Sequence, residues 1–336
     1  MPVKRKANGE ETIMRLKAVT YTALLIAVIA VAMSAASIYY TFGKKTTTVA
    51  TTTVNTSTVG KTLAGINQPL NATTLSVINN APDSYYELAG EMYLNGTLVD
   101  PVGARISGFT MNITNGVVVG NKTSAIYLGS TTCIYCGENR WAMALALAKF
   151  GSFKSLYTGY SSLGDGDVPT LYWAKNNLNG SDDIFNNTYS SSYINFISIE
   201  DNNPITGGFD LNTLSTIGQR VNASGNAGVK AAFSKIIKLN NFQGTPYTIW
   251  GNYVVPGADG IVFGNSTTIS AAGLPEITYM THTQIFQQLK NPNDQFAWAE
   301  YAAADVYISG ICKSINNTAS VCSLPAIQKI ESQILG

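Results

Sequence analysis

The chain has 336 residues, with 21 Lys/Arg, 20 Asp/Glu and one His, and a net charge of +1. Charged residues make up only 12% of it, about half the share of an average soluble protein, and neutral polar residues fill the gap, 30 Asn among them. A balanced charge excludes the basic face of a nucleic-acid binder. A single His excludes a His-rich metal site and leaves any His-dependent triad to His282 alone.

The first 45 residues hold seven of the basic and two of the acidic residues. Between Lys17 and Lys44 no charge occurs, and Val19 to Tyr40 would span about 33 Å as a helix, enough for a bilayer core. Five Lys/Arg precede this stretch (Lys4, Arg5, Lys6, Arg15, Lys17), and Lys44 and Lys45 follow it closely. The positive-inside bias then predicts residues 1–17 as a cytoplasmic segment and 18–42 as a transmembrane helix, with the rest outside the cytoplasm. A cleaved signal peptide is the alternative, with small residues at Ala32-Met33-Ser34 and Ala35-Ala36-Ser37. A prepilin-type cleavage at Lys17-Ala18-Val19-Thr20 is a third reading. Residues 43–62 read as a Thr-rich linker. N-x-S/T glycosylation sequons start at Asn55, Asn71, Asn95, Asn112, Asn121, Asn179, Asn186, Asn222, Asn265 and Asn316, all beyond the span.

Residues 63–110 read as a β-rich N-terminal extension, from runs such as Tyr85–Leu88 and Glu91–Leu94 between turn signals. Gly116–Val119 reads the same way. Ser124–Gly129 is a short apolar run that suits a buried strand. It leads through Ser130-Thr131-Thr132 into Cys133-Ile134-Tyr135-Cys136. Residues 137–150 are rich in Ala, Leu and Met and predict a helix, with Gly151 as its stop. Strands are expected at Ser155–Tyr160, Thr170–Trp173 and Tyr193–Ile199, and a helix at Gly228–Leu239. A Pro-initiated hairpin follows at Tyr247–Trp250 and Tyr253–Val255. Helices at Thr281–Leu289 and Asp294–Ile315 close the domain. This alternation predicts an α/β fold with a mixed sheet.

A Cys at the first turn of a helix meets free backbone N–H groups and the positive end of the macrodipole, both of which favour thiolate over thiol. Cys133 is placed there, and Cys136, one turn on, is placed to resolve a mixed disulfide formed at Cys133. A strand before, a long helix after and a Thr-Pro before a later strand strengthen the C-x-x-C signal. In folds of this kind the peptide before that Pro is cis and packs on the dithiol, so a cis Thr245–Pro246 bond is expected beside Cys133. Glu138 and Arg140 are close enough in sequence to modulate the pair in opposite directions.

These pieces resemble the archaeal thioredoxin-like family catalogued as domain of unknown function 929. The resemblance rests on Ile126–Gly129, Cys133-Ile-Tyr-Cys136, Glu138 with Arg140-Trp141, and Ala144–Gly151. Further support comes from Tyr193–Glu200, Thr245–Val255 and the late Cys312 and Cys322. The family-like pattern often has Pro where this chain has Ile134, and an acid where it has Trp250. The resemblance implies a thioredoxin-like three-layer domain over residues 111–325, with an insertion at about 152–227 and a C-terminal tail at 326–336. It implies a dithiol but no substrate. Cys312 and Cys322 read as a structural disulfide that an oxidising exterior would maintain. A zinc site using all four Cys is the competing idea, and C-x9-C is a poor zinc knuckle.

The function expected is a membrane-anchored, extracytoplasmic thiol–disulfide oxidoreductase. Its partners would be protein thiols or disulfides, with no nucleic acid, no metal and no organic cofactor. Cys133 would attack, Cys136 resolve, and Thr245 and Pro246 present backbone to the substrate. The alternative is a redox-inert surface glycoprotein of the same fold. His282 reads as a surface or capping residue, Asp165, Asp167, Asp182 and Asp183 as solvated loop acids, and Gly257–Gly264 as a turn. Trp141, Trp173, Trp250 and Trp298 read as core.

Overall fold

The computed structural model describes residues 65–96, 98–99, 116–131, 133–161, 168–175, 187–201, 211–240, 245–256, 262–263 and 280–334. The expected transmembrane helix (18–42), the linker (43–62) and the Asp165/Asp167 and Asp182/Asp183 loops lie outside the described residues, as does most of Gly257–Gly264. So do the sequons at Asn55, Asn112, Asn179, Asn186 and Asn265. Among the described residues no helix is long and apolar enough to cross a membrane.

The first described helices are α1 (Ala72–Asn79) and α2 (Asp83–Leu94). Asn71 caps α1 by accepting from Thr74 N, and Asp83 sits at the positive end of α2. The β-type runs expected at Tyr85–Leu88 and Glu91–Leu94 are therefore helical. Tyr86, Ala89 and Gly90 are buried at helical spacing, and burial against other helices overrides the strand preference of isolated tyrosines. Two-residue strands β1 (Leu98–Val99) and β2 (Val118–Val119) lead to the long strand β3 (Lys122–Ser130).

After β3 comes α3 (Ile134–Ala148), then β4 (Gly151–Phe153), β5 (Tyr157–Ser161), β6 (Val168–Tyr172), β7 (Tyr189–Ser191) and β8 (Ile194–Asp201). Helices α4 (Leu211–Ala223) and α5 (Ala227–Asn240) precede the hairpin β9 (Tyr247–Trp250) and β10 (Tyr253–Pro256), and β11 (Val262–Phe263) pairs β1. The chain ends in α6 (His282–Leu289), α7 (Gln295–Ser314), a short 3-10 turn at Ser320–Ser323 and α8 (Pro325–Ile334).

The main sheet is centred on β3. β8 lies parallel to it on one side, from Thr123 opposite Ile194 to Ser130 opposite Asp201. β9 lies antiparallel on the other, followed by antiparallel β10. Side chains of β3 alternate between the sheet's two faces. Ala125 and Tyr127 belong to a core shared with α3 and α7. Ile126 and Leu128 belong to a second core with Ile217 and Val221 of α4 and Val229, Ala232 and Ile236 of α5. Helices thus cover both faces, which explains why successive residues of β3 from Ser124 to Ser130 and of β8 from Phe196 to Glu200 are buried rather than every second one. The β9–β10 turn is two residues, Gly251-Asn252, and Gly251 takes the φ of 65° that such a turn requires.

Two boundaries expected from the sequence change. The segment 152–227 is not simply an insertion, because it contains β8, the parallel neighbour of β3. The additions are β4 paired with β7, and the separate hairpin β5–β6. Within the expected tail at 326–336, residues 326–334 are helical instead. Pro325 starts α8, a position where its missing N–H costs nothing, and Ala326, Ile327 and Ile330 are buried. Cys312 at the end of α7 is disulfide-bonded to Cys322 in the turn before α8. Those two sulfurs are therefore unavailable to a four-Cys zinc site.

Candidate functional site

β3 ends at Ser130, and the chain turns into α3 with Cys133 as its N-cap. The Cys133 N–H donates to Ser130 O at 3.2 Å, which closes this turn. Cys133 Sγ accepts the Cys136 N–H at 3.2 Å, in the manner of a capping oxygen. It also lies 3.4 Å from Thr245 O, to which the protonated thiol donates. The Thr245–Pro246 bond is cis, as expected, and the peptide sits against the first cysteine because β9, which it precedes, is the antiparallel neighbour of β3.

The two thiols differ in exposure. Cys133 is partly exposed, whereas Cys136 is fully buried. Tyr135 between them is 42% exposed, one of three large hydrophobic residues that are exposed among the described residues. The Cys133 thiol is lowered from its ordinary value of 9 to about 7. The largest cause is the hydrogen bond from the Cys136 side chain. Burial opposes it, and the Cys136 backbone N–H, the Thr245 side chain and the positive charge of Arg140 add to it. The Cys136 thiol moves up, because burial and its neighbour both disfavour a second thiolate. One sulfur is thus poised to ionise near neutral pH, and the other is held as a protonated donor.

Beneath the pair lies Arg140, completely buried. Its Nε donates to Glu200 Oε1 at 2.9 Å, and Nη2 to the same oxygen at 2.5 Å. Nη1 donates to Ser161 Oγ at 3.1 Å and Thr170 Oγ1 at 3.4 Å, and Nη2 to Ser130 O at 3.3 Å. The sequence reading named Arg140 but missed Glu200. Its signal was available: Glu200 directly follows the strand expected at Tyr193–Ile199, and an acid buried at the end of a strand needs a partner. The hairpin β5–β6 is fastened to α3 at the same place. Thr170 Oγ1 donates to Gly137 O at 2.6 Å, and Trp141 Nε1 to Pro169 O at 3.1 Å.

His282 is partly buried and tied to the hairpin, rather than a surface or capping residue. It is the first residue of α6, and its Nε2 lies 2.9 Å from both Gly159 O and Thr170 O, which face each other across β5 and β6. One ring N–H shared between two carbonyls pins the hairpin from outside, and burial lowers the imidazole's proton affinity. Thr281, the residue before it, is the true cap, forming a capping box with Gln284. Trp141, Trp173 and Trp250 are core residues, as expected. Among the described sequons, Asn71, Asn95, Asn121, Asn222 and Asn316 are all exposed. None of them belongs to the dithiol.

These features define a mixed α/β protein with a free, asymmetrically buried dithiol at the start of a helix. The chain belongs to the family described as a domain of unknown function, DUF929, which matches residues 111–313. No curated protein and no solved structure matches it.

Proposed function

We propose that the protein is a thiol–disulfide oxidoreductase acting through Cys133 and Cys136. The observation that carries this reading is the asymmetry of the pair: the partly exposed sulfur ionises at about 7, beside the cis Thr245–Pro246 peptide, and the buried one stays protonated. A static structural disulfide would need neither feature. Further support comes from the strand order β8-β3-β9-β10, with β8 parallel and β9 antiparallel to β3. A thioredoxin-like core would have this order, with a dithiol after its first strand and a cis-proline before its third, which supports the reading.

In the forward step the Cys133 thiolate attacks one sulfur of a substrate disulfide. A Cys133–substrate disulfide forms, and the other substrate sulfur leaves as a thiolate that takes up a proton. Cys136 then gives up its proton and attacks Cys133 Sγ. The Cys133–Cys136 disulfide closes and the second substrate thiol is released. The substrate disulfide has gained two electrons and the dithiol has lost two. The reverse sequence oxidises a substrate dithiol, so the direction is set by the thiol or disulfide partner that resets the pair.

The expected anchor at 18–42 and an extracytoplasmic location belong to this proposal. They rest on the charge asymmetry of the first 45 residues and on the Cys312–Cys322 disulfide, a bond that oxidising compartments maintain. The test is a Cys136→Ser variant of the full chain in the native host, separated on a non-reducing gel. Mixed disulfides that accumulate, and vanish when Cys133→Ser is added, are expected. No trapped species, together with no reduction of a protein disulfide such as insulin by the wild type, would leave the redox-inert scaffold as the reading.

A further inference from the structure

Arg140 is the only buried cation among the described residues. Taking a guanidinium out of water costs several kcal/mol, and a buried ion pair seldom returns more than that in stability. Replacing Arg140 and Glu200 by apolar residues would serve the fold as well, so the pair calls for another explanation. Its placement supplies one. Arg140 is seven residues after Cys133 and four after Cys136, hence on their face of α3. Helical side chains lean toward the N-terminus. The guanidinium accordingly reaches back to Ser130 O, the same carbonyl that accepts the Cys133 N–H.

Four strands hold it there: β3 through Ser130, β5 through Ser161, β6 through Thr170 and β8 through Glu200. Its three partners other than Glu200 are neutral. Among the described residues, the other ionisable groups near the dithiol are Tyr135, Cys136 and Glu138 on α3, Tyr127 on β3, Tyr172 on β6 and Glu200 on β8. Burial keeps Cys136, Tyr127 and Tyr172 protonated. Arg140 is therefore the one positive charge in the set.

We propose that Arg140 is a positioning residue for the dithiol, whose buried charge stabilises the Cys133 thiolate, and that the Glu200 carboxylate limits how much of that charge the thiolate feels. The hairpin β5–β6, pinned by His282, serves as the bracket that keeps the guanidinium under the β3–α3 turn. The inference deepens the oxidoreductase reading and rests on it for its biological meaning, but its test needs no substrate.

The experiment is the pH dependence of Cys133 alkylation by iodoacetamide in the reduced full chain, read by mass spectrometry. Arg140→Met is expected to raise the midpoint, with alkylation slowed severalfold below it. Arg140→Lys should restore part of the rate. Glu200→Gln keeps an acceptor for Nε and Nη2 but discards the negative charge, so it should lower the midpoint and speed alkylation at pH 6. The opposite signs are the discriminating result, since a purely structural pair would be broken by either change and shift both variants the same way or neither. An unmoved midpoint in Arg140→Met, or shifts of one sign, would overturn the proposal. Should Arg140→Met fail to fold, a raised or unchanged midpoint in Glu200→Gln overturns it alone. Turnover of protein disulfides by the wild type with unmoved variants would sink this inference and leave the oxidoreductase standing. Shifted variants without turnover would do the reverse.

Discussion

Removing the Cys133 sulfur should make the stability of the reduced protein respond less to pH. In the folded chain Cys133 ionises at about 7 against an ordinary value of 9. A folded-state value below the unfolded one means that ionisation stabilises the fold. The contribution is complete above the unfolded value and is lost as pH falls through the folded one. Two units correspond to about 2.7 kcal/mol at full extent, and about 1.3 kcal/mol of this should appear between pH 6 and pH 8. Cys136 titrates in the opposite sense but only above its ordinary value, outside that window. The assay is urea unfolding of the reduced wild type and of Cys133→Ala at the two pH values. Subtracting one protein from the other cancels His282 and every other titration common to both. A difference that grows by roughly 1 kcal/mol from pH 6 to pH 8 is expected, and a flat difference would refute the reasoning, because it would mean that the folded environment does nothing for the thiolate.

Two further outcomes follow from the packing. The Cys312–Cys322 bond closes a loop with a sequence separation of 10, worth about 2.7 kcal/mol in the chain-entropy model. Cys312→Ala with Cys322→Ala should lower the urea midpoint accordingly while leaving the Cys133 alkylation profile in place, and a loss under about 1 kcal/mol would count against a stabilising role. Gly137→Ala gains about 1 kcal/mol of helix propensity, but the added Cβ would lie 2.6 Å from Ser161 Oγ and 2.8 Å from Ser161 Cβ. Overpacking against the hairpin should win and destabilise the chain by about 1–2 kcal/mol. Adding Ser161→Gly should recover part of it, and strict additivity of the two changes in unfolding experiments would contradict the close approach.

The parts of this protein that could be read from sequence are those where local chemistry and tertiary role agree. Cys133 at a helix start, the Ala- and Leu-rich α3, the Thr-Pro ahead of β9 and the Gly-Asn hairpin each announce themselves within a few residues, and each lies where it was expected. Four cysteines allow three pairings that sequence alone does not separate, and the structure holds the expected Cys312–Cys322 one. What was missed depends on distant partners. Tyr85, Tyr86 and Tyr93 look strand-like in isolation, yet α2 forms because Tyr86 packs edge-on against Tyr301, 215 positions away, with centroids 4.9 Å apart. α8 followed a disulfide and resembled a tail, though its Ala326, Ile327 and Ile330 carry helical spacing. His282 looked like a capping residue because its neighbour Thr281 does the capping, and the two carbonyls that it bridges belong to strands more than 110 residues earlier. Glu200 could be suspected from its place at the end of a predicted strand, but only the register of β8 against β3 brings it beneath the dithiol.

The central claim is that the partly exposed sulfur is a nucleophile toward disulfides at neutral pH. Its most direct measurement is the single-turnover rate of reaction between the reduced full chain and a model peptide disulfide, followed from pH 5 to pH 9 with Cys136 replaced by Ser as a control. The account predicts a rate that rises with an inflection near 7 in the wild type, one equivalent of peptide thiol released by Cys136→Ser, and none by Cys133→Ser. A rate that climbs without inflection toward pH 9, or that persists in Cys133→Ser, would contradict it.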